Sequence, residues 1–135
     1  MGFGTDKTSK MLNFPPSAPP LYRYIHSFVD NTTYSLGPTA EYGTTHGDEL
    51  VYIFNLTNLG ANYEIWSDAA RAHSHRMCTL WSDFAKYGSP GEEVGWEEYG
   101  LRGESLFLGE EMEMGVDEQM EQRMSKWYLW MEEGC

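Results

Sequence analysis

The sequence predicts an α/β fold, in which strands and helices alternate along the chain. Leu21–Val29 (LYRYIHSFV) is dense in aromatic and β-branched residues over the length of a strand, with no Gly or Pro to interrupt it. Ser105–Leu108 (SLFL) indicates a second, short strand. Between them, apolar residues recur at steps of three and four over 67–87, which indicates an amphipathic helix. We therefore expect a sheet with this helix on one face.

Residues 1–20 are predicted to form an extended leader in front of the domain. The segment is polar at first and then proline-rich, with PPSAPP at 15–20. Proline rings block helix and sheet alike. The domain is accordingly expected to occupy 21–135.

A long loop is predicted for Asp30–Thr45, which carries Asn, Gly, Pro and Thr at turn-forming density. The loop leads to His46. After His46 come two acids and the apolar run Val51–Phe54, which is too short for periodicity to distinguish strand from helix. A loop tip anchored by a buried segment suits a general base, which must reach substrate while its ring stays oriented. From the residues alone, a surface histidine and a catalytic base both remain open.

The helix predicted over 67–87 has recognisable ends. Ser67 can cap its N-terminus, and Gly88 with Pro90 ends it. Its apolar face is formed by Ala70, His73, Met77, Leu80, Trp81 and Phe84. His73 and His75 point to opposite sides of a helix, so we interpret them as packing and surface residues and not as a metal pair.

The C-terminal part is acidic and punctuated by glycine from Gly91 to Gly103, where Trp96 and Tyr99 are expected to anchor the chain. A last helix is predicted from its apolar stripe, formed by Val116, Met120, Met124, Trp127 and Met131. Methionines at such spacing are more typical of core packing than of a cofactor site.

Composition excludes several classes of function. Nine basic and 21 acidic residues give a net charge of -12, which argues against nucleic acids and anionic membranes as partners. The charge serves either solubility or the attraction of cationic substrates. No apolar run approaches the length of a membrane span, and no motif for a cofactor or a metal is present. His26 is interpreted as a packed or edge residue of its strand.

Two cysteines and two sequons complete the inventory. Cys78 is expected to be a buried free thiol, whereas Cys135 either pairs with another subunit or is simply the point at which a truncated sequence stops. Asn31 and Asn55 begin Asn-X-Thr triplets and are candidate glycosylation sites in a secretory protein. Asn31 is the better candidate, because Asn55 directly follows the apolar run.

Three ordered segments resemble the C-terminal part of the type-B carboxylesterases, the family that includes the cholinesterases. They are HGDELVYIF from His46, HRMCTLWSDFAKYGSP from His75 and LYRYIHSF from Leu21. The resemblance runs from about Leu21 to Trp130. It implies an α/β-hydrolase fold, of which this chain holds the last strands and helices of a mostly parallel sheet and is incomplete on its own.

The resemblance also implies roles for individual residues. His46 occupies the position of the triad base, and a short helix follows it. Glu49 occupies the position of a supporting carboxylate near the His loop. For Asp48, a role as a solvent-facing acid remains an open alternative. The sequence contains no GxSxG and no HGGG-type run. Since the triad of these hydrolases follows the order Ser, acid, His, the nucleophile and the acid would lie before residue 1. The chain alone is expected to be inactive.

Two functions follow from the resemblance. The first is a serine hydrolase whose full-length parent cleaves a small-molecule carboxylic ester. The second is a cholinesterase-like adhesion or binding protein that kept the fold and lost the chemistry. The secretory pathway is the expected location, although no signal peptide opens the chain. A truncated sheet is also expected to associate through its exposed edge or through Cys135.

Overall fold

The computed structural model describes residues 2–12, 17–30, 43–54, 66–100 and 102–118, with 122, 125, 126 and 129 near the C-terminus. Its elements in chain order are α1 (Gly2–Leu12), β1 (Tyr24–His26), α2 (Asp48–Phe54), α3 (Asp68–Tyr87), β2 (Ser105–Leu108) and β3 (Met112–Gly115). Most of the predicted last helix lies outside the described residues. In the part of the chain that is described, no helix has the length and apolar character needed to cross a bilayer.

The three strands form one mixed sheet with β2 at its centre. β1 runs parallel to β2, with Tyr24 opposite Leu106 and His26 opposite Leu108. β3 runs antiparallel to β2, with Met114 opposite Leu106. The Ser27 amide extends the parallel ladder by donating to the Leu108 carbonyl at 3.1 Å. The α/β class is confirmed.

β1 lies within the strand predicted over 21–29 but is only three residues long. Its partner β2 has four residues, and backbone hydrogen bonds join Arg23 to Leu106 and Ser27 to Leu108 on either side of β1. β2 was predicted, whereas β3 was not. The alternation of Met112 and Met114 with Glu113 is the period-two signal for β3, and the surrounding glutamates and glycines obscure it.

α3 begins and ends where the sequence predicts. The Ser67 side chain accepts a hydrogen bond from the Ala70 amide at 3.0 Å, which caps the N-terminus. Gly88 adopts φ 73° and donates its N–H to the Phe84 carbonyl. The buried face consists of Ala70, His73, Met77 and Leu80. Phe84, predicted on this face, is 48% exposed in the last turn.

The core lies between α2, α3 and the sheet. Its buried apolar residues are Phe28, Val51, Tyr52, Trp66, Ala70, Met77, Leu80, Leu106 and Leu108. Aromatic rings meet edge to face across it, as Tyr24 of β1 does with Trp81 of α3 at 5.0 Å between centroids. One face of the sheet is therefore closed by α3, as the amphipathic spacing predicted.

The segment from 91 to 100 is anchored by the two aromatic residues that the sequence singled out. Trp96 donates its indole N–H to the Arg23 carbonyl at 3.1 Å. The buried Tyr99 donates its amide N–H to the Leu21 carbonyl at 2.6 Å, and the Arg23 guanidinium lies 5.4 Å above its ring. These contacts fasten the acidic loop to the start of β1.

The extended conformation predicted for residues 1–20 is wrong for 2–12, which form α1. The prolines begin at Pro15, after α1 has ended, so they do not block this helix. The Ser9 hydroxyl donates to the Thr5 carbonyl one turn earlier at 2.9 Å, and Ser9 is buried. The segment is thus helical over its first part.

Candidate active site

His46 lies in the turn that leads into α2, and its side chain is exposed. Gly47 adopts φ 88° and Gly43 adopts φ 69°, in the left-handed region that glycine enters without strain. The Asp48 amide donates to the Thr45 carbonyl at 3.3 Å across the turn. The chain therefore reverses at His46 and presents the imidazole to solvent, on the loop where the sequence predicted it.

Asp48 closes this turn from the helix side. Its carboxylate accepts two hydrogen bonds from Thr45, one from the amide at 2.6 Å and one from the hydroxyl at 2.9 Å. The arrangement is akin to a capping box, in which a residue of the first helical turn reaches back to the capping residue. Asp48 is only 4% exposed, so the solvent-facing alternative is wrong for it.

Thr44 fastens the other side of the turn. Its hydroxyl donates to the carbonyl of His26 in β1 at 2.8 Å. Two adjacent threonines thus connect the residues before His46 to two different elements, Thr44 to β1 and Thr45 to the start of α2.

α2 itself is held firmly in place. Val51 and Tyr52 are buried, and the Ser74 hydroxyl of α3 donates to the Tyr52 carbonyl at 2.6 Å. The Cys78 thiol also lies against this end of α2, 3.6 Å from the Ile53 carbonyl. Cys78 is a free thiol, as predicted, but it is half-buried and not fully buried. The turn is consequently mounted on an anchored helix.

Glu49, predicted to support the His loop, lies half-buried on α2 next to β1. Burial raises the pKa of the Tyr24 hydroxyl, and the charge of Glu49 raises it further. The same carboxylate acts on His26. Glu49 thus places a negative charge near β1, while its support of His46 stays a prediction.

A second pair of histidines lies behind the turn, between β1 and α3. The Nε2 atoms of His26 and His73 are 3.3 Å apart, so one imidazole donates to the other. Phe28 stacks on the His73 ring with 4.2 Å between centroids and 10° between planes. Tyr52 meets the same ring edge to face at 5.0 Å. His73 is fully buried, and both rings pack against aromatic residues of the core.

Burial keeps this pair neutral. The pKa of His73 is lowered to about 3, mainly by burial and further by the charges of His26 and Arg76. The backbone of Gly109 partly opposes this shift. Burial also lowers the pKa of His26, against the two carboxylates at the start of α2. Within the described residues neither Nδ1 atom finds a hydrogen-bond partner.

No local pattern predicts this pairing, because the two histidines lie 47 positions apart and their contact is tertiary. The separate interpretations of the histidines are confirmed: His26 is packed, His73 is buried and His75 is exposed. Among the described residues, no group of three or more His, Cys, Asp and Glu side chains is arranged to hold a metal ion. The remaining candidates Asn31, Asn55 and Cys135 lie outside the described residues.

Comparison with known families identifies the chain. The model of the carboxylesterase family matches residues 7–127, which is most of its length. The chain belongs to the carboxylesterase family. The match begins inside the segment 1–20, for which the sequence showed no resemblance, so the family region starts earlier than Leu21. No curated protein sequence matches the chain.

Solved esterase structures share its fold. A PNB esterase is 26% identical with a TM-score of 0.59, over 77% of this chain. A thermophilic PNB esterase is 25% identical with a TM-score of 0.58, over the same share. The juvenile hormone esterase from Manduca sexta, with OTFP covalently attached, is 17% identical with a TM-score of 0.69 over 93% of the chain. The carboxylesterase chain described here thus has part of an α/β-hydrolase fold.

The chain covers a much smaller share of the length of each esterase. The chain spans 21% of each PNB esterase and 25% of the juvenile hormone esterase. Most of the domain of these esterases therefore has no counterpart in the 135 residues.

Proposed function

We propose that this chain is the histidine-bearing C-terminal part of a serine carboxylic-ester hydrolase, with His46 as its general base. The observation that carries the proposal is the mounting of His46. Its imidazole is exposed at a turn that Thr44 and Asp48 tie to β1 and to an anchored α2. A base of this kind must be accessible and oriented at once.

The chemistry that such a base supports has two halves. In the first, the imidazole takes the proton of a serine hydroxyl as the serine oxygen attacks the ester carbonyl, and then gives that proton to the departing alkoxide. The alcohol leaves and an acyl-serine remains. In the second, the imidazole takes a proton from water, whose oxygen attacks the acyl carbonyl, and returns the proton to serine as the carboxylic acid leaves.

The nucleophile, the triad acid and the oxyanion donors would come from the part of the domain that this chain does not span. The absence of GxSxG and HGGG-type runs from the 135 residues supports this division. Glu49 would act as the supporting carboxylate beside the turn. The substrate class is a small-molecule carboxylic ester, and the chain alone would be inactive.

Assembly with the rest of the domain has a candidate surface in β1. Within the described residues β1 pairs with β2 on one edge, and its other edge offers backbone donors and acceptors to a further strand. Cys135 is a second candidate for association. The sequons at Asn31 and Asn55 support a secretory location and glycosylation.

The test is His46→Gln in the complete protein that contains this chain, with an activated ester as substrate. Loss of the base should lower kcat by about 10³-fold or more, because triad members act as a unit. His75→Gln, an exposed histidine on α3, is the matched control and should leave kcat unchanged. Wild-type turnover by the His46→Gln variant overturns the proposal. A parent protein without the GxSxG serine would point to the adhesion or binding alternative.

A further inference from the structure

We propose that Thr44 and Asp48 are positioning residues for His46, a role that rests on the function proposed above. Neither side chain need touch the ester. Each holds one side of the turn that carries the imidazole, and the two together fix where the ring stands relative to the core.

The first tether is the Thr44 hydroxyl, which donates to the His26 carbonyl at 2.8 Å. His26 belongs to β1, whose backbone is fixed by its parallel pairing with β2. Thr44 is two residues from His46, so this bond sets the distance between the imidazole and the sheet. Its hydroxyl is half-buried, which limits the competition from water that weakens exposed hydrogen bonds.

The second tether is the Asp48 carboxylate, two residues beyond His46. Both of its oxygens are used by Thr45, through the amide at 2.6 Å and the hydroxyl at 2.9 Å. Bonds to an ionised acceptor are about twice as strong as neutral ones. Val51 and Tyr52 are buried and hold α2 in place. The Asp48 carboxylate therefore fixes the turn relative to this helix.

The turn needs such tethers because its own backbone is permissive. Gly43 and Gly47, which enclose the stretch with His46, both adopt positive φ. Glycine loses more conformational freedom on folding than any other residue. A displacement of about 1 Å in a catalytic group can cost about 10²-fold in rate. Two side-chain bonds on opposite sides of His46 therefore have a direct effect on the reaction.

The experiment compares threonine variants in the complete protein. Thr44→Val removes the hydroxyl at constant shape and should lower kcat by roughly 10- to 100-fold with KM changed by less than about twofold. Thr44→Ser keeps the hydroxyl and should restore most of the rate. Thr79→Val is the matched control, since the Thr79 hydroxyl donates to the His75 carbonyl at 3.0 Å on the exposed side of α3. It should leave kcat unchanged.

Asp48→Asn tests the other tether. The amide keeps the size of the side chain and one acceptor oxygen, but it removes the negative charge and can meet the Thr45 hydroxyl only as a donor. Both contacts with Thr45 therefore become neutral and weaker. We expect kcat to fall about tenfold with KM unchanged. A pH–rate profile separates position from charge: in Thr44→Val the whole profile should drop while its midpoint stays in place. If Thr44→Val does not fold, Thr44→Ala removes the same hydroxyl.

The outcomes separate this inference from the function on which it rests. If His46→Gln is as active as wild type, the assignment of His46 fails and the positioning role fails with it. If His46→Gln is inactive but Thr44→Val and Asp48→Asn match Thr79→Val, only the positioning role is overturned. A parallel loss of kcat and gain in KM, with no rescue by Thr44→Ser, would also overturn it, since that pattern indicates general damage to the fold.

Discussion

The histidines of this chain occupy two opposite environments, which one hydrogen bond connects. His46 stands exposed on a turn, and its neighbours are held by polar tethers. His26 and His73 lie between β1 and α3, bonded to each other and packed against aromatic rings. The same type of side chain is exposed to solvent in one place and packed among core residues in the other. Burial, and not residue type, decides which histidine is accessible from solvent.

The carbonyl of His26 connects the two regions, because it accepts the hydrogen bond from Thr44. One member of the buried pair thus accepts a hydrogen bond that holds the His46 turn. If the two environments differ in this way, substitutions of His73 should change the stability of the fold and its pH dependence. Substitutions of His46 should change only the turnover of the complete protein.

The largest expected effect on stability is its dependence on pH. His73 has a pKa of about 3 in the folded protein, against about 6.5 when it is unfolded. Between these values the unfolded chain binds the extra proton, so stability is full above pH 6.5 and falls as the pH drops towards 3. The shift corresponds to a loss on the order of 5 kcal/mol.

Hydrogen exchange of the β1 and α3 amides in the complete protein measures this loss, after correction for the intrinsic pH dependence of exchange. His73→Gln removes the titrating group and should flatten the profile between pH 6.5 and 4, whereas His75→Gln should not. Parallel profiles for wild type and His73→Gln would show that His73 does not carry the dependence.

The second effect is the cost of removing the buried ring at neutral pH. His73→Ala leaves a cavity beside Phe28 and Tyr52, and we expect it to lower the free energy of unfolding by about 3 kcal/mol. His46→Ala, at an exposed position, should change it by less than about 0.5 kcal/mol. Thermal unfolding of the two variants tests the comparison directly, and equal shifts in melting temperature would break it.

The smallest effect concerns the link between α2 and α3. Ser74→Ala removes the hydroxyl that donates to the Tyr52 carbonyl at 2.6 Å, which should cost about 1 kcal/mol. Ser82→Ala, at an exposed position on the same helix, is the control and should be neutral. Urea unfolding distinguishes them, and a neutral Ser74→Ala would mean that burial alone holds α2.

Much of this architecture was readable from local patterns. Ser67 and Gly88 predict the two ends of α3, and the spacing of its apolar residues predicts most of its buried face. The turn at His46 was visible because its glycines and threonines are local signals. Short-range rules apply here, since each of these features is determined within one or two turns of chain.

Features that depend on distant residues were not readable. Only three residues of the predicted strand 21–29 form β1, and their partner β2 lies about 80 residues later. The His26–His73 pair exists only after β1 and α3 have packed. The prolines that begin at Pro15 exclude a helix only where they stand, and so they do not predict the structure of 2–12, which form α1. Nor could the sequence show that both oxygens of Asp48 bind Thr45.

The parallel pairing of β1 with β2 has a consequence for the order of folding. The β2–β3 hairpin joins neighbours in sequence, whereas Tyr24 reaches its partner Leu106 across 82 residues. Closing so long a loop is slow and costs entropy before any contact compensates for it. We therefore expect the hairpin and α3 to form early and β1 to join late. Because Thr44 is bonded to β1, the turn that presents His46 would acquire its final shape in that last step.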